Sequence, residues 1–182
     1  CSMTLYNADG GIAEMSGNGL RCLAWFARRA GVGEPERLVV DTGGGRRTLD
    51  LTLDASGAVV HAVCDMGLVS FDPVTIPLDA PSAFGVATEF HGVKYEGDAA
   101  GVGNPHLVLL VDDPWTARVA QHGPRLESDP RFPHRTNVEF IAVTPGEADA
   151  ITMRVWERGV GETLSCGTGA CAAAAVARRR LL

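Results

Sequence analysis

The chain has 182 residues, 46% hydrophobic and 21% charged, with a formal net charge of −6. That balance excludes an intrinsically disordered chain, and one short basic run, Arg178-Arg179-Arg180, in an acidic total excludes nucleic acid or an anionic membrane as the main partner. The length allows one sizeable core or two small lobes, and no apolar run is long enough to span a bilayer.

The opening MTLYN alternates like a strand and is followed by a turn at Asp9-Gly10-Gly11 and a loop at Ser16-Gly17-Asn18-Gly19. The period then changes. Leu20, Leu23, Ala24, Phe26 and Ala27 recur at helical spacing, which predicts a helix from Leu20 to Ala30 with Gly31 as its C-terminal cap. LVVDT, RTLDLTLD and AVVHAVCDM read as an antiparallel meander broken by Gly43-Gly44-Gly45 and Ser56-Gly57. A loop rich in Pro, from Phe71 to Phe84, is the expected domain junction, dividing the chain into lobes 1–70 and 71–182. Strands follow around HGVKYE and HLVLLVDD, then a helix near Trp115 to His122 and a Pro-broken loop through Pro124, Pro130 and Pro133. Strands NVEFIAV and ITMRVWE lead into a glycine-rich loop, Gly159 to Gly169. From Thr168 or Gly169 the run ACAAAAVARRR is a strong helix former whose basic end suits the helix dipole.

Five cysteines, Cys1, Cys22, Cys64, Cys166 and Cys171, make an odd count without a signal peptide, so a reduced, cytoplasmic setting is expected. Their spacing and the scattered histidines give no metal-binding pattern. The start at Cys1 and the stop in ARRRLL within a helical pattern read as an internal piece of a longer polypeptide.

The two loop-helix units form a short pseudo-repeat. Ser16-Gly17-Asn18-Gly19 lies over Cys166-Gly167-Thr168-Gly169, with Glu14 and Glu162 preceding them. Free N–H groups at a helix N-terminus bind anions, and glycines let a carboxylate approach the backbone. The same field lowers a thiol's pKa, which would make Cys166 a usable base for a weakly acidic α-proton. The plain alternative is a tight strand-to-helix turn around a small buried Cys. Cys22, Cys64 and Cys171, within helices or a strand, read as structural. A pyridoxal-phosphate enzyme needs a Schiff-base lysine, and the only lysine, Lys94, sits in the polar turn GVKYEGD.

YNADGGIAEMSGNGLRC, GNPHLV, GPRLESDPRFPHRTNVEF and RVWERGVGETLSCGTGACAAA resemble, in order and spacing, the signature blocks of the diaminopimelate epimerase family. The resemblance implies an α/β (α+β) fold of two pseudo-symmetric lobes, each with a mixed or antiparallel sheet around a central helix and the active site between them. It implies cofactor-independent epimerisation of LL- to meso-diaminopimelate, a small-molecule amino-acid substrate and, as an open option, a homodimer. It also assigns roles. Cys166 matches one proton-transfer thiol, and Ser16 stands where the family has the other. Asn7, Asn104, Asn137, Glu157 and Arg158 match residues holding the distal end of the substrate, and Gly17, Asn18, Gly167 and Thr168 those holding the reacting carboxylate. Without the resemblance, Asn7 and Asn104 equally suit turns, Glu157-Arg158 suits a solvated charge pair, and His106 suits a packing role. Relative to the family, roughly the first fifth or quarter of the chain and the closing strands are absent.

Ser16 is the serious departure, because a hydroxyl is a far poorer acid and base than a thiol near neutral pH. The alternatives it leaves open are a related-fold hydroxyproline epimerase or dehydratase, a phenazine-pathway-type isomerase, and a catalytically silent amino-acid-binding protein.

Overall fold

Alternation at the start of the chain yields only a short hairpin, β1 (Leu5–Tyr6) with β2 (Ile12–Ala13), because the preceding residues pair elsewhere. Met3 N–H donates to Asp41 O at 2.9 Å and Asp41 N–H to Cys1 O at 2.9 Å. The computed structural model describes residues 1–7, 10–147 and 149–181, so Asp9 of the expected turn lies outside the described residues. The chain divides into two units, Cys1–Gly67 and Leu68–Leu182.

In the first unit, α1 (Gly17–Arg29) begins three residues before its apolar repeat. Ser16 is the reason: in extended conformation at φ −148°, its Oγ accepts from Gly19 N–H at 3.0 Å and satisfies one of the helix's free donors. The helix ends at Ala30, and Gly31, at φ +69°, takes the left-handed position after it. β3 (Arg37–Thr42), β4 (Gly45–Leu53) and β5 (Val59–Cys64) form the antiparallel meander that the sequence predicts. Leu20, Ala24 and Ala27 of α1 pack with Leu38, Val40, Leu49 and Leu51 in one core. Burying such aliphatic side chains contributes about 1.5–3 kcal/mol for each of the larger ones.

The second unit contains a six-stranded mixed sheet whose strands run, from one edge to the other, β11 (Gly161–Thr163), β10 (Ile151–Glu157), β9 (Asn137–Val143), β8 (Pro105–Leu110), β7 (Val93–Gly101) and β6 (Phe84–Phe90). The Pro-rich stretch after Phe71 belongs to it, giving Ile76, Leu78 and Ala83 to the core before β6 (Phe84–Phe90) begins. His91 and Gly92, both at positive φ, turn the chain into β7 (Val93–Gly101), so HGVKYE is half turn and half strand. β8 (Pro105–Leu110) runs antiparallel to β7 and parallel to β9 (Asn137–Val143). The crossover between β8 and β9 contains α2 (Val119–Glu127). This helix lies later than the expected Trp115 to His122 and includes Pro124. Tertiary burial of Val119, His122 and Leu126 outweighs the backbone hydrogen bond that proline cannot make. β10 (Ile151–Glu157), β11 (Gly161–Thr163) and α3 (Gly167–Arg180) complete the unit.

The sheet is covered on both faces, which is why its central strands read as nearly continuous apolar runs. Leu107, Leu109, Val138 and Phe140 face the core that includes Val119 and Leu126 of α2. The alternate residues of β8 and β9 face α3, whose small side chains let it lie close: Ala172, Ala173, Val176 and Ala177 are buried. Among the described residues no helix is long and apolar enough to cross a membrane.

The far end of α3 is pinned to β7. Arg180 Nε and Nη2 donate to the two carboxylate oxygens of Asp98 at 2.8 and 2.7 Å, and Gly85 N–H donates to Asp98 Oδ1 at 3.0 Å. Burial alone would push the Asp98 carboxyl up, but the Arg180 hydrogen bonds, the Gly85 N–H and the nearby guanidinium charges bring it below its ordinary value. A depressed carboxyl contributes stability above its unfolded pKa and loses it as pH falls through the folded one. Asp98→Asn is therefore expected to cost about 1–3 kcal/mol at neutral pH, with the gap to wild type closing in acid. Urea unfolding at a series of pH values checks this.

Candidate active site

The topology gathers chemistry at one end of the second unit's sheet. Parallel β8 and β9 start there, antiparallel β10 ends there, and α3 begins close by. Asn104 and His106 therefore stand beside Asn137, which pairs with His106 in register, while Glu157 and Arg158 come from the end of β10.

Cys166 caps α3 as Ser16 caps α1. It is extended at φ −123°, ψ 118°, and its Sγ accepts from Gly169 N–H at 3.4 Å. The two loops of the pseudo-repeat thus share one backbone form, with the nucleophilic atom at the helix mouth in each. Thr168 Oγ1 lies 3.4 Å from Cys166 Sγ, and Asn104 Nδ2 donates to Thr168 Oγ1 at 3.4 Å. Behind them His106 is fully buried, with Nε2 2.9 Å from Asn104 Oδ1 and Nδ1 2.7 Å from Glu139 Oε1. His106 thus orients Asn104 and is held in turn by Glu139.

Cys166 is 7% exposed, and its thiol is pushed up to about 12. Burial is the main cause, followed by the negative charge of Glu139; the Thr168 hydroxyl pulls down, Glu157 pushes up, and the Gly169 N–H pulls down. This corrects the expectation that the helix N-terminus lowers the value toward neutrality. Desolvation and a buried carboxylate outweigh two hydrogen-bond donors, so the resting form at neutral pH is the thiol.

Arg158 corrects another plain alternative. It is not a solvated surface charge, being 9% exposed, with Nη1 donating to His134 O at 3.0 Å and its backbone N–H to Asn137 Oδ1 at 3.0 Å. Asn137 Nδ2 in turn donates to Pro105 O at 3.0 Å. Glu157 is half-buried and accepts from the Thr163 hydroxyl. Glu127, at the end of α2, is a supporting residue that the sequence does not single out. Its Oε2 accepts from Trp156 Nε1 at 2.7 Å and its Oε1 from Gly159 N–H at 3.0 Å and Arg135 Nη1 at 2.9 Å, which anchors the segment on either side of Glu157-Arg158. Its only sequence signal is its place inside the GPRLESDP block.

The remaining candidates lie in the first unit or on the helix. Asn7 closes the β1–β2 turn, its N–H donating to Gly11 O at 2.8 Å and its carbonyl accepting from Gly10 N–H at 3.0 Å. Gly17 and Gly167 each open a helix, and the side chain of Asn18 accepts from Arg21. All five cysteines are free, and Cys22, expected to be structural, is exposed on α1.

The fold is that of the diaminopimelate epimerase-like proteins. A hydroxyproline epimerase from Agrobacterium vitis, solved with bound trans-4-hydroxy-L-proline, superimposes over 100% of this chain and 56% of its own with a TM-score of 0.73 at 20% identity. The sequence profile of diaminopimelate epimerase matches residues 1–77 and 99–182, and the chain belongs to that family. The diaminopimelate epimerase of Thioalkalivibrio sulfidiphilus (strain HL-EbGR7) is 46% identical over 171 residues, covering 93% of this chain and 59% of the relative. That of Leptospira biflexa serovar Patoc is 41% identical over 174 residues, covering 93% and 61%. The chain spans about three-fifths of the length of these curated relatives.

Proposed function

We propose that the protein is an isomerase of the cytoplasm that interconverts LL- and meso-diaminopimelate without a cofactor, with Cys166 as the group that moves the proton on one face of the α-carbon. The observation that carries this reading is the placement of Cys166 Sγ at the cap of α3, 3.4 Å from Thr168 Oγ1 and 3.4 Å from Gly169 N–H, in a chain of this family. The free state of all five cysteines supports a reducing compartment.

In the resting thiol form Cys166 is an acid. The α-proton leaves on the Ser16 side, negative charge spreads into the substrate carboxylate, and the S–H bond breaks as its proton joins the opposite face of the α-carbon, leaving a thiolate. In the reverse direction that thiolate is the base. The backbone N–H groups at Gly17, Asn18, Gly167 and Thr168 stabilise the charged carboxylate as helix N-termini do. Arg158 and Glu157 hold the distal carboxylate and ammonium, with Asn7, Asn104 and Asn137 completing those contacts. Ser16, or a water it holds, serves the other face slowly, because loss of a proper general base costs about 10²–10⁴-fold.

The test is to incubate each stereoisomer separately in heavy water and follow deuterium at the α-carbon by mass spectrometry. Proton transfer by a thiol in one direction and by a hydroxyl in the other is expected to give unequal incorporation. Substrate binding with no deuterium uptake in either direction would make the protein an amino-acid binder instead.

A further inference from the structure

The pair Glu157-Arg158 sits where the sheet of the second unit is weakest. β11 is 3 residues long and lies at the sheet's edge, and Arg158, Gly159 and Val160 form the turn that joins it to β10. Short edge elements with few backbone partners open first. One buried carboxylate, Glu127 at the end of α2, holds the chain on both sides of the pair. Its Oε2 accepts from Nε1 of Trp156, the residue before Glu157, at 2.7 Å, and its Oε1 from the N–H of Gly159, the residue after Arg158, at 3.0 Å. The indole lies against α2 because Gly123 has no side chain: a Cβ there would stand 2.5 Å from Trp156 Cδ2 and 2.6 Å from Cγ. A third tie runs to the segment that receives the Arg158 guanidinium. Arg135 Nη1 pairs with Glu127 Oε1 at 2.9 Å, Thr136 N–H donates to Glu127 O at 3.0 Å, and Arg158 Nη1 donates at 3.0 Å to the carbonyl of His134, the residue before Arg135. Arg135 is at φ +59°, a left-handed backbone that is costly for a residue with a side chain and persists only where its surroundings hold it.

We propose that Glu127 is a positioning residue for substrate specificity, bracing the β10–β11 turn so that Glu157 and Arg158 are already in place for the distal amino-acid group of a diamino diacid. The proposal rests on the distal-binding role given to that pair above. A carboxylate is gripped bidentately only by a guanidinium whose plane is fixed, and side chains that must be ordered on binding lose affinity to the entropy of ordering. Both Glu127 oxygens are engaged by Trp156, Gly159 and Arg135, so Glu127 acts through the pair and not on the substrate itself. Its removal therefore weakens selection of the distal group and leaves recognition of the reacting end in place.

The test compares two ligands by calorimetry on the full chain, with circular dichroism monitoring the fold: LL-diaminopimelate, and α-aminoheptanoate, which has the same chain length but no distal carboxylate or ammonium. Glu127→Gln keeps the shape and one acceptor oxygen, and turns a donor toward groups that are themselves donors. It is expected to weaken diaminopimelate binding about tenfold or more, the loss of one charge-assisted hydrogen bond, and to leave α-aminoheptanoate within about twofold. Unchanged diaminopimelate affinity in folded Glu127→Gln, or an equal loss for both ligands, overturns the proposal. Where α-aminoheptanoate binds the wild type too weakly to measure, heavy-water exchange of LL-diaminopimelate decides: a rise in KM of that size supports the proposal, and a fall in kcat with KM unchanged overturns it. If Glu127→Gln does not fold, Trp156→Phe, which keeps a ring against Gly123 and removes the Nε1–H, is read in its place by the same criteria; loss of fold in both makes Glu127 a residue of stability alone and overturns the proposal. A wild type that binds diaminopimelate without exchanging deuterium sinks only the epimerase reading, one that exchanges while Glu127→Gln binds as it does sinks only this proposal, and one that does not bind diaminopimelate sinks both.

Discussion

Cys166→Ala is expected to reduce α-hydrogen exchange by at least about 10²–10⁴-fold, the usual contribution of a placed acid or base, while leaving the protein folded. The side chain removed is small and sits at the mouth of α3, where its polar contacts are a hydrogen bond accepted from Gly169 N–H and one shared with the Thr168 hydroxyl, both at 3.4 Å. Losing a cap costs about 1 kcal/mol, too little to unfold a unit whose core contains Leu107, Leu109, Val138 and Phe140. Ser16→Cys is the complementary change. Ser16 has the same cap geometry on α1 as Cys166 has on α3, so a thiol fits there with its acceptor role kept. Exchange is expected to rise by the same order of magnitude, about 10²-fold or more, and incorporation in the two directions to become more equal. Heavy-water exchange on the wild type and both variants checks all three expectations. A Cys166→Ala protein that exchanges normally, or a Ser16→Cys protein no faster than its parent, would remove the proton-transfer roles from these positions.

Gly97→Ala is expected to abolish stable folding of the second unit, a loss above about 4 kcal/mol. Gly97 lies in β7 opposite Leu109 of β8. A Cβ at Gly97 would stand 1.9 Å from Val108 O, 2.7 Å from Val108 C and 2.9 Å from Leu109 Cα. All three atoms are backbone, so no rotamer change relieves the contact. The strands would have to part, breaking ladder hydrogen bonds in the middle of a sheet covered on both faces. Gly146→Ala supplies the contrast. Gly146 has φ +83° and open space around its missing Cβ, so the cost there is conformational, about 1 kcal/mol. Soluble yield and urea unfolding of the two variants separate the cases.

The sequence by itself determined the elements whose cause is local. Helix α1 and its Gly31 terminator, the β3–β5 meander, and strands β9 and β10 follow from periodicity, turn residues and caps within a few positions of each other. The family followed from blocks such as ERGVGETLSCGTGAC, whose residues are close in the chain because the loop before α3 is one continuous structure. Tertiary structure alone decided the features that depend on residues far apart. β6 hides at the end of a Pro-rich stretch and β11 within a glycine-rich loop, and each is a strand only because β7 and β10 supply its partner hydrogen bonds. α2 starts late and tolerates Pro124 because its buried face packs on β9, β10 and β11. An acid in NVEFIAV is visible as an oddity, but the contact of Glu139 with His106 and Gly169 joins three separate segments. The ionisation of Cys166 belongs to this second kind. A helix mouth is local and favours a thiolate, whereas burial and a carboxylate from another strand are long-range and favour the thiol, and in the folded chain the long-range forces prevail.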